Sequence, residues 1–483
     1  MNQPRNESQR PTPSLTLALL PVGVLVGTLY LTVVYLRAFQ LTTHVALVIG
    51  TLVAGAVALR LGQKWEEIET SMIEGITLSL RALLILLSIG MLIGTWIQGG
   101  IVPAMIYYGL TLISPGLFLA ASALICALVS VATGSSWSTA ATVGIALIGI
   151  GEGMGIDRAQ VAGAVISGAY FGDKMSPLSD TTNLAPAMAG AKLFDHIRHM
   201  VYTTGPSMLI ALVAYGFMGR SHSGSVDTSQ VDAIREAISG SYTISPWLLL
   251  PPLGVIALVV LRLPALPAVV GGWLLGALVA FYTQARPLGA VLKASYSGVK
   301  SKTGHALVDD LLSRGGLSSM FSTMALILVA LTFGGVMEGA GMLDTLARAV
   351  LGLAHGDGGL VLATVASSIG MNILASDQYL AVVVPGRMYC HAYAERGLAP
   401  KNLSRALEDG GTLTSALIPW NTCGAFMIAT LGVQPWSYVP YALLNLINPL
   451  ISIVYGYTGI TLTRLDEEEK HDGAATEREE KDA

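Results

Sequence analysis

The feature that most limits what this chain can become is a pair of very long stretches without charge. No acidic or basic side chain lies between Arg81 and Glu152, and none lies between Asp409 and Arg464. A soluble domain carries about 25% charged residues, whereas this 483-residue chain carries 12%, with 53% hydrophobic residues and a mean hydropathy of +0.62. An ordinary soluble enzyme is excluded. A bilayer core about 30 Å thick takes about 20 apolar residues per helix, so each run must hold several passes broken by turns. Further uncharged runs at 15–36, 200–219, 237–261, 263–285 and 315–337 raise the expectation to ten or more membrane segments. The first run follows Arg5 and Arg10 but is too long for a signal-peptide core and has no small-residue cleavage pattern, so it reads as a retained helix.

The net charge of −4 is concentrated at one end, since residues 464–483 hold nine acidic and four basic side chains. That tail reads as a solvated, disordered extension. What remains has no basic stripe, which excludes nucleic acid as a partner. Cys126, Cys390 and Cys423 form no C-x-x-C pair, so neither a disulfide framework nor a zinc site is indicated, and no cofactor is expected.

Shifting the sequence by 242 positions superimposes Gly99 on Gly341, Gly155 on Gly397, Ala164 on Ala406, Gly168 on Gly410, Pro177 on Pro419, Ala187 on Ala429 and Gly190 on Gly432. Most of these residues set backbone shape, by free or locked φ, so the repetition lies in the fold more than in the chemistry. The expected organisation is an N-terminal tail (1–14), a first membrane repeat (15–218), a polar linker (219–245), a second membrane repeat (246–463) and the acidic tail (464–483). The expected fold class is an all-α polytopic membrane protein with two inverted structural repeats, re-entrant hairpins and discontinuous helices. Paired Gly/Pro-interrupted hydrophobic segments of this kind point to the binding site of a secondary transporter.

The most informative segment runs from Ser167 to Pro186, where apolar sequence surrounds Asp173, Lys174, Ser176, Ser179, Asp180, Thr181, Thr182 and Asn183. Gly172, Pro177 and Pro186 argue against a continuous helix. Irregular backbone at membrane depth is tolerated only where it lines a cavity or is buried in protein. Carbonyls, hydroxyls and carboxylates freed there are hard oxygen ligands for an alkali cation, which suggests a re-entrant hairpin with an ion site at its tip.

Gly-Ser-Ser-Trp-Ser-Thr from 134, Ser-Gly-Ala-Tyr-Phe-Gly-Asp-Lys-Met-Ser-Pro-Leu-Ser-Asp-Thr-Thr-Asn from 167, Leu-Ala-Pro-Lys-Asn-Leu-Ser-Arg from 398 and Ile-Pro-Trp-Asn-Thr-Cys-Gly from 418 resemble the signatures of the NhaC-type Na⁺/H⁺ antiporters. The resemblance spans nearly the whole membrane region. It implies the ion-transporter superfamily fold, Na⁺ and H⁺ as transported ions, and a multi-pass protein of a prokaryotic plasma membrane. A homodimer is compatible with it.

In the superposition Asp173 and Asp180 fall on Ser415 and Thr422, while Asp377, Glu408 and Asp409 fall on Ser135, Ile166 and Ser167. The acids are complementary between halves, as one asymmetric site built from both would require. The Pro177-x-Ser179-Asp180 and Pro419-x-Asn421-Thr422 elements read as the two hairpin tips. Asp377 is expected inside the membrane, where a charge costs about 2.5–3.5 kcal/mol and marks a pathway; its bland alternative is a helix end among lipid headgroups. Asp173 is read as functional, against the alternative of a local ion pair with Lys174, which is taken as charge-compensating. Ser135 and Ser136 are candidate ligands or simple helix caps.

Other groups are read blandly. Arg405, Glu408 and Asp409 have the spacing of a solvated helix with internal pairing. Trp137 and Trp420 are read as packing or interface anchors, and His196 and His199 have no third ligand for a metal. The combined expectation is Na⁺ and H⁺ competing for buried carboxylates, with Na⁺ at Asp180 and Asp377. A coupled exchanger of an organic acid or amino acid is the alternative. An intramembrane enzyme lacks its nucleophile, base or metal set.

Overall fold

The computed structural model describes residues 13–31, 39–78, 80–112, 114–220, 228–261 and 263–465. The two tails, at 1–14 and 464–483, fall almost wholly outside the described residues, as do 221–227 of the linker. Among the described residues the elements are all helices, and the one extended pairing is an isolated antiparallel bridge between Leu398 and Arg464.

Among the described residues, five helices are long and apolar enough to cross a membrane singly: Thr43–Arg60, Pro115–Thr133, Leu193–Arg220, Leu317–Gly339 and Gly356–Leu374. Three more pairs qualify only together, bent by 59° to 98° at short breaks, which raises the number to eight. This is fewer than the ten or more segments read from the uncharged runs. Those runs are cut into shorter pieces: the helices Ile101–Leu112 and Thr422–Leu431 have twelve and ten residues, or about 18 and 15 Å at 1.5 Å per residue, well short of a bilayer core. Large apolar side chains such as Leu128, Leu209, Phe217 and Leu450 face outward, while serines, threonines and asparagines such as Ser130, Thr204, Asn372 and Asn448 are buried. That inversion is what a lipid solvent selects, because helices there associate through small and polar residues.

Matching conformations recur 242 positions apart. Gly134 has φ 65° and Ser376 has φ 58°, each followed by an extended residue, Ser135 or Asp377, that caps the next helix with its side chain. The ten-residue helices begin at Ser179 and Asn421 as caps and end at Gly190 and Gly432, with φ 78° and 70°. A Cβ on Gly168 would meet the Ala123 carbonyl oxygen, and one on Gly410 would meet that of Val365.

Two local expectations are corrected. Gly172 does not interrupt the helix Arg158–Met175 but lies inside it, where a Cβ would come within 2.4 Å of Ser130 Cβ on the neighbouring helix Pro115–Thr133. Pro186 lies inside the helix Asp180–Ala189, so of the three predicted breakers only Pro177 stands at the turn. Within the expected linker, residues Thr228–Ser241 form a helix that buries Ile234 and Ile238.

Candidate ion-binding site

Two junctions, each between a helix break and a hairpin tip, form the centre of the molecule. In the first, the helix Pro115–Thr133 ends at Gly134 and the chain restarts at Ser136–Thr139. Opposite lies the turn joining Arg158–Met175 to Asp180–Ala189. Gly134 touches this tip so closely that a Cβ would lie 2.7 Å from the Leu178 carbonyl carbon and 2.9 Å from the Ser179 nitrogen. Ser136 Oγ donates to Asp173 Oδ2 at 2.6 Å, and Thr182 Oγ1 donates to the Asp173 and Lys174 carbonyls at 3.1 and 3.0 Å. Ser135 Oγ accepts from the Ser138 amide, and Ser179 Oγ lies 3.2 Å from Thr181 Oγ1. Ser136, Asp173, Ser176, Ser179, Thr181 and Thr182 are all buried.

The second junction repeats the plan with the acid moved onto the break. Asp377 Oδ1 caps the helix Gln378–Glu395 by accepting from the Tyr379 and Leu380 amides at 2.9 and 3.3 Å, while Oδ2 accepts from Thr422 Oγ1 at 3.3 Å. The Thr422 amide donates to the Ser376 carbonyl at 3.0 Å, tying tip to break. Asn421 Nδ2 donates to Asn372 Oδ1 at 3.0 Å and its Oδ1 accepts from the Cys423 amide. Asp377 is 2% exposed.

The junctions are interlaced. The first tip helix, Asp180–Ala189, packs on Gln378–Glu395, and the second, Thr422–Leu431, packs on the first break. Trp137 stacks on Phe426 at 4.1 Å, a packing role, and Trp420 Nε1 donates to the Ile373 carbonyl. Tyr379 bridges the two junctions: its amide meets Asp377 and its hydroxyl donates to Asp180 Oδ2 at 3.4 Å. Helix ends that leave free carbonyls favour a cation, and each break supplies such an end beside a carboxylate. The arrangement can therefore hold either an alkali cation or a proton.

Not every nominated residue joins the buried set. Asp180 and Asn183 are exposed on the tip, and Asn183 Nδ2 donates to the Pro177 and Ser179 carbonyls, bracing the turn. Lys174 does not neutralise Asp173. It points away and pairs with Asp409, both fully buried, and Asp409 Oδ1 also accepts from Thr203 Oγ1 and Asn448 Nδ2. A helical turn separates the directions of neighbouring side chains, and here the helix continues through Lys174.

The solvated-helix reading of Arg405, Glu408 and Asp409 is overturned, since the three are 0–1% exposed. Arg405 donates to Thr461 Oγ1 at 2.8 Å, and Glu408 and Asp409 open a five-residue π-helical turn, Glu408–Thr412, of the kind frequent at functional sites. Sequence reasoning also passed over Asn372, Tyr379 and Asn448. His196 and His199 are buried against Ser404, Lys401 and Thr461, and no group of three metal-binding side chains occurs among the described residues.

The model of the Na⁺/H⁺ antiporter family matches residues 168–460. The chain is 40% identical to the Na⁺/H⁺ antiporter NhaC of Alkalihalophilus pseudofirmus, over 92% of this chain and 95% of that one. It is 38% identical to NhaC of Bacillus subtilis, over 91% and 97%. It is also 36% identical to the malate-2H⁺/Na⁺-lactate antiporter of Bacillus subtilis, over 92% and 95%.

Proposed function

The chain belongs to the Na⁺/H⁺ antiporter family, and from that premise we propose that it exchanges Na⁺ for H⁺ across a prokaryotic plasma membrane by alternating access. The observation that carries the reading is the pair of break–tip junctions with Asp173 and Asp377 buried in them. A buried carboxylate without a cationic partner is costly as a free anion. It is relieved either by a proton or by Na⁺, for which Ser136, Ser179, Thr182, Asn421 and Thr422 supply additional oxygens. Competition for the same acids makes the two ions exchange. We read the matching conformations 242 positions apart as a duplicated unit, and such units move against each other around a midplane site in secondary transporters. Asp180, exposed at the tip, is placed at the entrance to the site.

The second reading is coupled exchange of a small organic acid, favoured by the 36% identity to a malate/lactate antiporter. Everted vesicles carrying the protein separate the two. With an acid interior established by respiration, NaCl alone is expected to dissipate the pH gradient and KCl is not, with LiCl run alongside. Dissipation that appears only when malate or lactate is added would overturn Na⁺/H⁺ exchange in favour of the second reading.

A further inference from the structure

Among the described residues, Glu408 is the acid of the buried centre that forms no ion pair and takes no hydrogen bond from a backbone amide. Its carboxylate is 0% exposed and neither oxygen makes a well-aligned hydrogen bond among the described residues, the hydroxyl of Thr412, one π-helical turn on, being the donor that acts on it. Asp409, its neighbour, holds Lys174, Thr203 and Asn448, and Asp173 holds Ser136. A carboxylate stripped of water and left with a single hydroxyl donor is costly as the anion.

From this geometry we infer that Glu408 is a proton-carrying group of the transport cycle, separate from the acids that take Na⁺. The inference rests on the Na⁺/H⁺ reading above and adds a residue to it. The charged groups that act on Glu408 are Lys174 and Asp173 from the helix Arg158–Met175 and Asp409 beside it on its own turn. The helix Pro400–Leu407, which leads into the turn, brings the buried Arg405, whose guanidinium donates to Thr461; the other helices packed on the turn, Gly356–Leu374, Gln378–Glu395, Asp180–Ala189 and Leu443–Thr458, add no charged group of comparable effect among the described residues. Glu408 and Asp173 share no hydrogen bond, but the turn Glu408–Thr412 packs on the helix Arg158–Met175, so in this buried setting the charge of one acid acts on the other. In the step between loss of the Asp173 proton and arrival of Na⁺, the negative charge of Asp173 holds the proton on Glu408. Na⁺ arriving at Asp173 cancels that charge, and Lys174 then stabilises the Glu408 anion. The O–H bond of Glu408 breaks, its electron pair stays on the carboxylate, and the proton leaves to the aqueous side then open. When Na⁺ departs, the carboxylate takes a proton back from the opposite side.

The test uses full-length protein reconstituted in liposomes, with two readouts. Radiolabelled Na⁺/Na⁺ exchange at equal pH reports Na⁺ binding and movement, and the ratio of protons to Na⁺ under a Na⁺ gradient reports coupling. Glu408→Gln, locked in the neutral form, is expected to keep Na⁺/Na⁺ exchange at the wild-type rate and to move one proton fewer per Na⁺. Glu408→Asp is expected to keep the wild-type ratio with a displaced pH profile, and it serves if the Gln variant does not fold. An unchanged ratio in Glu408→Gln, loss of its Na⁺/Na⁺ exchange, or an unchanged pH profile in Glu408→Asp would each overturn the inference. Absence of Na⁺-driven proton movement in the wild type would instead sink the Na⁺/H⁺ reading.

Discussion

Asp377→Asn is expected to abolish Na⁺-dependent proton flux while leaving folded protein in the membrane. The two halves of that statement follow from the two oxygens of the side chain. Oδ1 caps the helix Gln378–Glu395 by accepting from two amides, and asparagine caps about as well as aspartate, so the break keeps its shape. Oδ2 faces Thr422 on the opposing tip. An amide nitrogen there can neither accept from that hydroxyl nor bind a cation, and it does not exchange one proton for a sodium ion. The vesicle assay, with the amount of inserted protein measured alongside, reads the outcome. Flux retained at the wild-type level would remove Asp377 from the mechanism.

The second large effect is on stability. Lys174→Met is expected to lower the melting temperature of the purified protein sharply, because it strands Asp409 as an unpaired charge in a site with 0% exposure. Breaking a buried pair by removing one partner costs about 3–5 kcal/mol. Thr203 and Asn448 still donate to Asp409, so the loss falls short of complete unfolding in the membrane. Adding Asp409→Asn to the same variant removes the lone charge and is expected to recover much of the melting temperature. A Lys174→Met protein that melts with the wild type would show that the pair is not a support of the fold.

Much of this architecture was legible in the sequence because lipid imposes simple rules. Uncharged runs announced the membrane, and residues that govern φ marked both tips: Ser179 and Asn421 cap short helices that stop at Gly190 and Gly432. Asp377 was expected inside the membrane, and its side chain is buried within the protein. What failed was the inference from local spacing. Arg405, Glu408 and Asp409 at separations of three and four resemble a solvated face, yet the superposition had set Glu408 and Asp409 on Ile166 and Ser167, both 0% exposed. Long-range equivalence carried the burial signal that local charge pattern concealed. Lys174 was read as charge-compensating, but the acid it pairs with lies 235 positions away and could not be named from local sequence. The number of full spans was not legible, because half-length helices and full spans have the same composition and differ only in how they pack.

The most direct measurement is proton release on ion binding. Purified protein in a weakly buffered detergent solution is titrated with NaCl and the pH of the solution is followed. If Na⁺ and H⁺ share Asp173 and Asp377, Na⁺ releases protons in a saturable manner and KCl at the same concentration does not. Saturable Na⁺ binding with no protons released would contradict the account.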